Sequence, residues 1–231
     1  MREYGQYCPV ALGSEVLAER WTPLILREMV LGSSRFNDIE RGLPGISRSL
    51  LLKRLKQLER KGVVEMAPAA GGRGNEYFLT PAGKDLEPVI MALGEWTVRW
   101  LYAEPLPRDV EPVTLTWWMH RRVDEAAAPS GRVVVQFDYH DERRTTIWLI
   151  FDRGEPSVCA THPGFEPDIL VSTDSVSMMR VFSGIDELAA ARAKGTVRID
   201  GPPALVAKFP TWFLWSPFRP AVRDLLGTAR P

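Results

Sequence analysis

Cysteine is almost missing from this chain of 231 residues: Cys8 and Cys159 stand far apart, with no CxxC pair. That excludes a disulfide-stapled scaffold and a cysteine zinc site. Histidine is equally scarce, at three isolated positions, His120, His140 and His162. No metal site and no cofactor are expected. Net charge is absent too, since 29 Lys and Arg balance 29 Asp and Glu. The chain as a whole therefore has no bias toward polyanions. No apolar run approaches the roughly 18 to 20 residues that cross a bilayer. The opening MREYGQYCPV lacks the basic-then-apolar pattern of a secretory signal. A cytoplasmic protein with no membrane partner is expected. Catalytic motifs are missing as well: there is no GxSxG, no HExxH and no glycine-rich phosphate loop. The adjacent acids Asp186 and Glu187 read as solvated, so no enzymatic role is expected.

What is present suits a folded protein. Apolar content of 45% and charged content of 25% are ordinary for soluble globular chains. The length suffices for one or two cores. AEPLPRDVEP, residues 103–112, holds three prolines and no apolar period, and reads as a domain edge. The texture before it is helical. After it come runs rich in β-branched and aromatic residues. The expected class is α+β, with a helical domain over 1–104 and a mixed α/β domain over 113–231.

The neutral total conceals a local excess. Between Ile46 and Gly62 stand six bases, Arg48, Lys53, Arg54, Lys56, Arg60 and Lys61, against one acid, Glu59. On a helical wheel of about 100° per residue, Leu51, Leu55 and Leu58 fall within about 60° of one another. Ser49, Lys53, Lys56 and Arg60 gather on the other side. This pattern predicts a helix with a leucine face for a core and a basic face for an anion. Ser47 suits its N-cap, and Gly62 suits the left-handed residue past its end. Upstream, Ser34 is placed to cap a short helix, RFNDIER, stopped by Gly42, and LPGI makes a turn. Helix, tight turn, helix is the geometry of a DNA-reading pair. Trp21, Leu24, Ile25 and Met29 fit a preceding helix with Pro23 in its first turn and Gly32 at its end. Downstream, VVEM and EYFLT flank APAAGGRGN as a β-hairpin with Arg73 at its tip, placed to reach a minor groove. Thr80 and Pro81 then open one long last helix. Its apolar positions are Leu86, Val89, Leu93, Trp96 and Trp100, and Pro88 and Gly94 allow it to bend.

A charged helix face is usually just a solvated face. Here the preceding helix and turn and the following hairpin favour phosphate binding instead. Ser47, Arg48, Ser49, Lys53 and Arg54 are the candidates for the groove. Lys56 and Arg60 fall nearer the phosphates, and Arg35 and Arg73 complete the set.

YCPV, then RWTPLILREMVLGSSRFNDIERGLPGISRSLLLKRLKQLERKGVV, then EYFLTPAG, resemble the HxlR family of bacterial winged-helix regulators over residues 7–100. The resemblance implies a homodimer in which the first and last helices of the domain pair. It also implies a double-stranded operator with half-sites about 34 Å apart. The chain departs from the family pattern at GGRGN, where members often carry prolines. Some members sense oxidants with a cysteine in this Cys-Pro context. Cys8 at the cap of a helix opened by Pro9 is thus a redox-sensing candidate. The alternative is a small apolar residue packed near the dimer contact.

Beyond residue 112, VTLTWWM reads as a strand with Trp117 and Trp118 on opposite faces. RVVVQFDYHDERRTTIWLIF reads as a hairpin and DILVSTD as a strand. SVSMMRVFSG and DELAAARA read as helices, GTVRIDGPP as a strand and turn, and ALVAKFPTWF as the start of a helix. DILVSTDSVSMMRVFSG and KGTVRIDGPPALVAKFPTWF resemble the sterol-carrier-protein-like family, which implies a layered sheet with a pocket for an apolar ligand. Trp117, Trp118, Trp148, Met178, Phe182 and Trp212 are the candidate ligand contacts, with plain core packing as the competing use. The expected function is a dimeric HxlR-type transcriptional regulator whose second domain binds a small apolar effector. The alternatives are a lipid or metabolite carrier whose helical half only dimerises it, and a fused enzyme.

Overall fold

The computed structural model describes residues 4–69, 74–153 and 155–227. The chain divides into two compact units, Met1–Gly94 and Glu95–Pro231.

In the first unit, α1 (Pro9–Leu17) starts where the Cys-Pro pair predicts, with Cys8 as the extended cap and Pro9 at the first helical position. α2 (Thr22–Val30) carries Pro23 in its first turn. Its cap, Trp21, adopts a left-handed φ of 79°. α3 (Phe36–Arg41) is capped by Arg35 rather than by the expected Ser34. The Ser34 carbonyl accepts a bond from the Tyr77 amide at 2.7 Å, which holds Ser34 in extended chain beside the later hairpin. α4 (Arg48–Arg60) follows, and the Ser47 hydroxyl accepts from the Leu50 amide at 3.3 Å. Gly62 takes the left-handed conformation, φ 69°, just past its end. β1 (Val64–Pro68) and β2 (Asn75–Leu79) pair antiparallel, from Val64 opposite Leu79 to Pro68 opposite Asn75. Arg35 adds one bridge to Glu76.

The single last helix is not observed. The segment splits into α5 (Pro81–Lys84) and α6 (Glu87–Leu101). Pro88 has no amide to continue a helix begun at Pro81, and its ring opposes the carbonyl of Lys84. In the first turn of a new helix the same proline is well placed. The core of this unit joins Ile25 and Leu26 of α2, Ile39 of α3, Leu51, Leu55 and Leu58 of α4, Val64 and Tyr77 of the hairpin, and Ile90 of α6.

In the second unit, VTLTWWM is a helix, not a strand: α7 (Pro112–Arg121). Pro112 sits in the first turn, and the Glu111 carboxylate accepts from the Thr114 amide at 2.6 Å and hydroxyl at 2.8 Å. The Thr116 hydroxyl donates back to the Pro112 carbonyl at 2.9 Å. These local bonds, and burial of Leu115 and Met119 one turn apart, outweigh the strand preference of threonine and tryptophan. Next come β3 (Val133–Tyr139), β4 (Thr145–Asp152), β5 (Glu155–Cys159), β6 (Ile169–Thr173), α8 (Ser175–Ser183), α9 (Leu188–Lys194), β7 (Val197–Asp200), α10 (Pro203–Lys208) and α11 (Arg219–Gly227). β5 has no counterpart in the expected element order. Within the described residues the sheet order is β5-β4-β3-β6-β7, with β3 and β6 parallel and the other pairs antiparallel.

One sheet face holds Val135, Phe137, Ile147, Leu149, Phe151 and Val171, in one core with Leu115, Met178, Phe182, Phe209 and Trp212. A second, smaller cluster on the opposite face contains Val134, Trp148 and Ile150, with Cys159 against it. Burial on both faces is why the IWLIF run of β4 shows no alternation. The architecture is α+β: a helical unit with a two-stranded wing, and a helix-backed sheet.

Candidate nucleic-acid interface

The site begins with the turn between α3 and α4. Leu43 and Ile46 are buried there, and Gly45 has a φ of 88°, which favours glycine. Arg27 of α2 donates to the Gly42 carbonyl at 3.0 Å and pairs with the fully buried carboxylate of Glu28 at 2.6 Å. Gly42 has no room for a side chain: a Cβ there would lie 2.0 Å from that carboxylate. The Arg27–Glu28 pair thus packs tightly against the end of α3, where the turn begins.

α4 turns Leu51, Leu55 and Leu58 into the core and leaves Ser49, Lys53, Lys56 and Arg60 exposed, as the wheel predicts. Ser47 and Arg48 at its start are exposed as well. Arg48 is nonetheless tethered. It pairs with Glu40, donates to the Asn37 side-chain oxygen at 3.1 Å, and lies over the Phe36 ring at 4.7 Å. Arg35, also exposed, pairs with Glu76 of the wing at 3.2 Å. Arg73 lies outside the described residues.

Arg54 departs from the expectation of a groove contact. Its side chain is only 11% exposed and pairs with Glu19 at 2.6 Å. It also donates to the Arg20 carbonyl at 3.2 Å and to the Gln57 side chain at 2.8 Å. The cause is angular. Arg54 falls roughly 60° from the mean direction of the leucines, on the flank toward α1 and α2. Leu52, on the flank of α4 opposite Arg54, lies between the leucine face and the basic face beside Lys56, and is 39% exposed.

The sequence-predicted ligand residues do not form one group. Met178, Phe182 and Trp212 are buried in the main core, and Trp118 packs partly buried against it. Trp212 meets Phe151 and Phe209 edge-on. Trp117, about 100° from Trp118 on α7 rather than across a strand, is buried and stacks on His120 at 4.8 Å. Trp148 lies on the other sheet face, donates to the Gln136 side-chain oxygen at 3.1 Å and meets His162 edge-on. Tyr139 is buried beneath α7, its hydroxyl 2.9 Å from that of Thr116, and burial raises its pKa. Cys8 is half-buried at the cap of α1. Among the described residues no cluster of three or more His, Cys, Asp or Glu is arranged to hold a metal ion. No helix among them is long and apolar enough to cross a membrane.

The HxlR-like helix-turn-helix family matches residues 16–105. Three uncharacterised HTH-type transcriptional regulators are similar over the same length scale. YvaP of Bacillus subtilis is 39% identical over 89 residues, covering 38% of this chain and 82% of its own. The chain belongs to the HxlR-like helix-turn-helix family. The regulator sll1512 of Synechocystis sp. is 35% identical over 104 residues, or 44% of this chain and 76% of its own. Mb3122 of Mycobacterium bovis is 41% identical over 99 residues, or 42% and 59%. This HxlR-type chain is a DNA-binding transcriptional regulator, and its relatives are regulators rather than enzymes. The family match ends before α7, so it carries no information about the sheet unit.

Proposed function

We propose that the protein regulates transcription as a homodimer, each copy laying α4 in the major groove of one operator half-site, with the sheet domain binding a small apolar effector. DNA binding and dimerisation are assigned to residues 1–104 and effector binding to 113–231. The protein acts in the cytoplasm, where its operator lies. The observation that carries the reading is α4 itself: its leucines are buried, and Ser49, Lys53, Lys56 and Arg60 are exposed on the side away from them. Ser47, Ser49 and Lys53 are the groove contacts, Lys56 and Arg60 the phosphate contacts. Arg48 and Arg35 reach the backbone from their tethers on α3 and the wing. Arg54 acts by positioning α4 against the connection between α1 and α2.

Dimerisation is supported by apolar side chains left in water on α6. Val89, Leu93, Trp96 and Trp100 are 47%, 51%, 50% and 67% exposed, a stripe that a second copy would cover. Effector binding is supported by the resemblance of DILVSTDSVSMMRVFSG and KGTVRIDGPPALVAKFPTWF to sterol-carrier-like domains. Cys8 is assigned as an oxidant-sensing thiol at the cap of α1.

The test is selection of binding sites from random duplexes, followed by gel shift on the selected sites. A two-fold operator with half-sites one helical turn apart is expected. No duplex binding at any salt would favour the carrier reading. Native mass spectrometry of the purified protein should show a copurified apolar molecule, and its absence would count against the effector. Diamide should weaken DNA binding by wild type and not by Cys8→Ser; equal loss in both would remove Cys8 from the reading.

A further inference from the structure

The exposed side of α4 is not uniformly charged, because Leu52 stands in its second turn with Ser49, Lys53 and Lys56 around it. Leu51, its neighbour in sequence, is fully buried, while Leu52 is 39% exposed. Side chains in the first turns of a groove-inserted helix are the ones that reach base edges. Two arginines in those turns are held to one side by partners within the protein, Arg54 enclosed and Arg48 tethered toward α3 at the solvent surface. Arg48 is engaged by Glu40 and Asn37, and Arg54 by Glu19 and Gln57. Arginine is the usual reader of guanine, through both of its terminal nitrogens. With both guanidinium groups held in this way, the groups that face the groove floor are the Ser47 and Ser49 hydroxyls, 3.3 Å apart, the Lys53 ammonium and the isobutyl group of Leu52. An isobutyl group neither donates nor accepts a hydrogen bond. Against most base edges it would strip water from polar atoms and return nothing. One base offers an apolar partner in the major groove: thymine, through its C5-methyl group.

We propose that Leu52 reads a thymine methyl in each operator half-site, and that this contact rather than an arginine–guanine pair sets specificity at that position. The proposal rests on α4 lying in the major groove. It assigns Leu52 a role in base choice that the charges on the helix do not supply.

The experiment uses the full chain. Operators are selected separately with wild type and with Leu52→Ala, and each thymine of the wild-type site is then replaced by deoxyuridine, which removes only the methyl group. Wild type should select a thymine at one fixed position per half-site and lose roughly fourfold in affinity when that thymine alone becomes uracil, the value of one buried methyl. Leu52→Ala should lose the thymine preference and bind the two duplexes equally. Its salt dependence should match wild type, because no phosphate contact has been removed. Wild type that binds its operator yet tolerates every thymine-to-uracil replacement would overturn the proposal. So would a Leu52→Ala protein with undiminished sensitivity, or one whose oligomeric state has changed, which would place Leu52 in a protein contact. Failure of wild type to bind any duplex would overturn the groove placement of α4 and, with it, this inference.

Discussion

Two basic residues on one helix, Lys53 and Arg54, are adjacent in sequence and differ in what they can do. Lys53 is exposed, and Lys53→Ala should weaken binding to every duplex and reduce the salt slope by about 0.9. Titrations at several salt concentrations measure this, and an unchanged slope would remove the contact. Arg54 is enclosed by Glu19, Gln57 and the Arg20 carbonyl. Arg54→Ala should lower the stability of the helical unit by about 1–3 kcal/mol, as lost charged hydrogen bonds do. It should leave the salt slope of the folded protein unchanged. Gly42 is constrained by space. Gly42→Ala would drive a methyl group into the Glu28 carboxylate, already held by Arg27, and should cost about 1–3 kcal/mol in denaturant unfolding.

At the scale of elements, caps and prolines place the boundaries. Ser47 and Gly62 bracket α4 as its sequence predicts, because both act through local backbone geometry. Ser47→Ala should destabilise the helical unit by about 1 kcal/mol in denaturant unfolding, the usual worth of such a cap. Ser34 shows the limit of the same logic. A good capping residue was passed over because its carbonyl is engaged by Tyr77, 43 positions further on. α5 and α6 are separate helices for a reason visible in the sequence, Pro88, which acts as a start and not as a bend. α7 is the clearest reversal. VTLTWWM has the composition of a strand, yet Pro112 and the Glu111 cap are those of a helix.

For the whole molecule, two consequences are open to measurement. The α6 stripe predicts a dimer in solution, and Trp96→Glu, which puts a charge in its middle, should yield monomers by light scattering and sharply weaker operator binding. In the sheet unit, Arg180 donates to Asp186 at 2.7 Å, and that hydrogen bond holds the Asp186 carboxyl below its ordinary pKa. A carboxylate depressed by folding stabilises fully above its unfolded pKa of about 3.9 and loses that contribution as pH falls through the lowered folded value. Asp186→Asn should therefore show a shallower acid-side fall in thermal stability than wild type. Identical acid limbs would remove the pair as a source of pH dependence.

The sequence by itself determined the helix-turn-helix, the two ends of α4, the wing strands and the direction in which the α4 leucines face. Each of these depends on residues a few positions apart, where backbone geometry and periodicity act directly. Most of the sheet unit was legible in the same way, down to its hairpin and the helices of SVSMMRVFSG and DELAAARA. Only the tertiary structure decided that Arg54 is enclosed while Lys53 is free, that Arg48 is tethered to α3, and that Trp148 lies across the sheet from Trp212. Those outcomes depend on partners distant in sequence, Glu19, Glu40 and the two sheet faces. A charge or an aromatic ring carries no sign of its partner until the chain has folded around it.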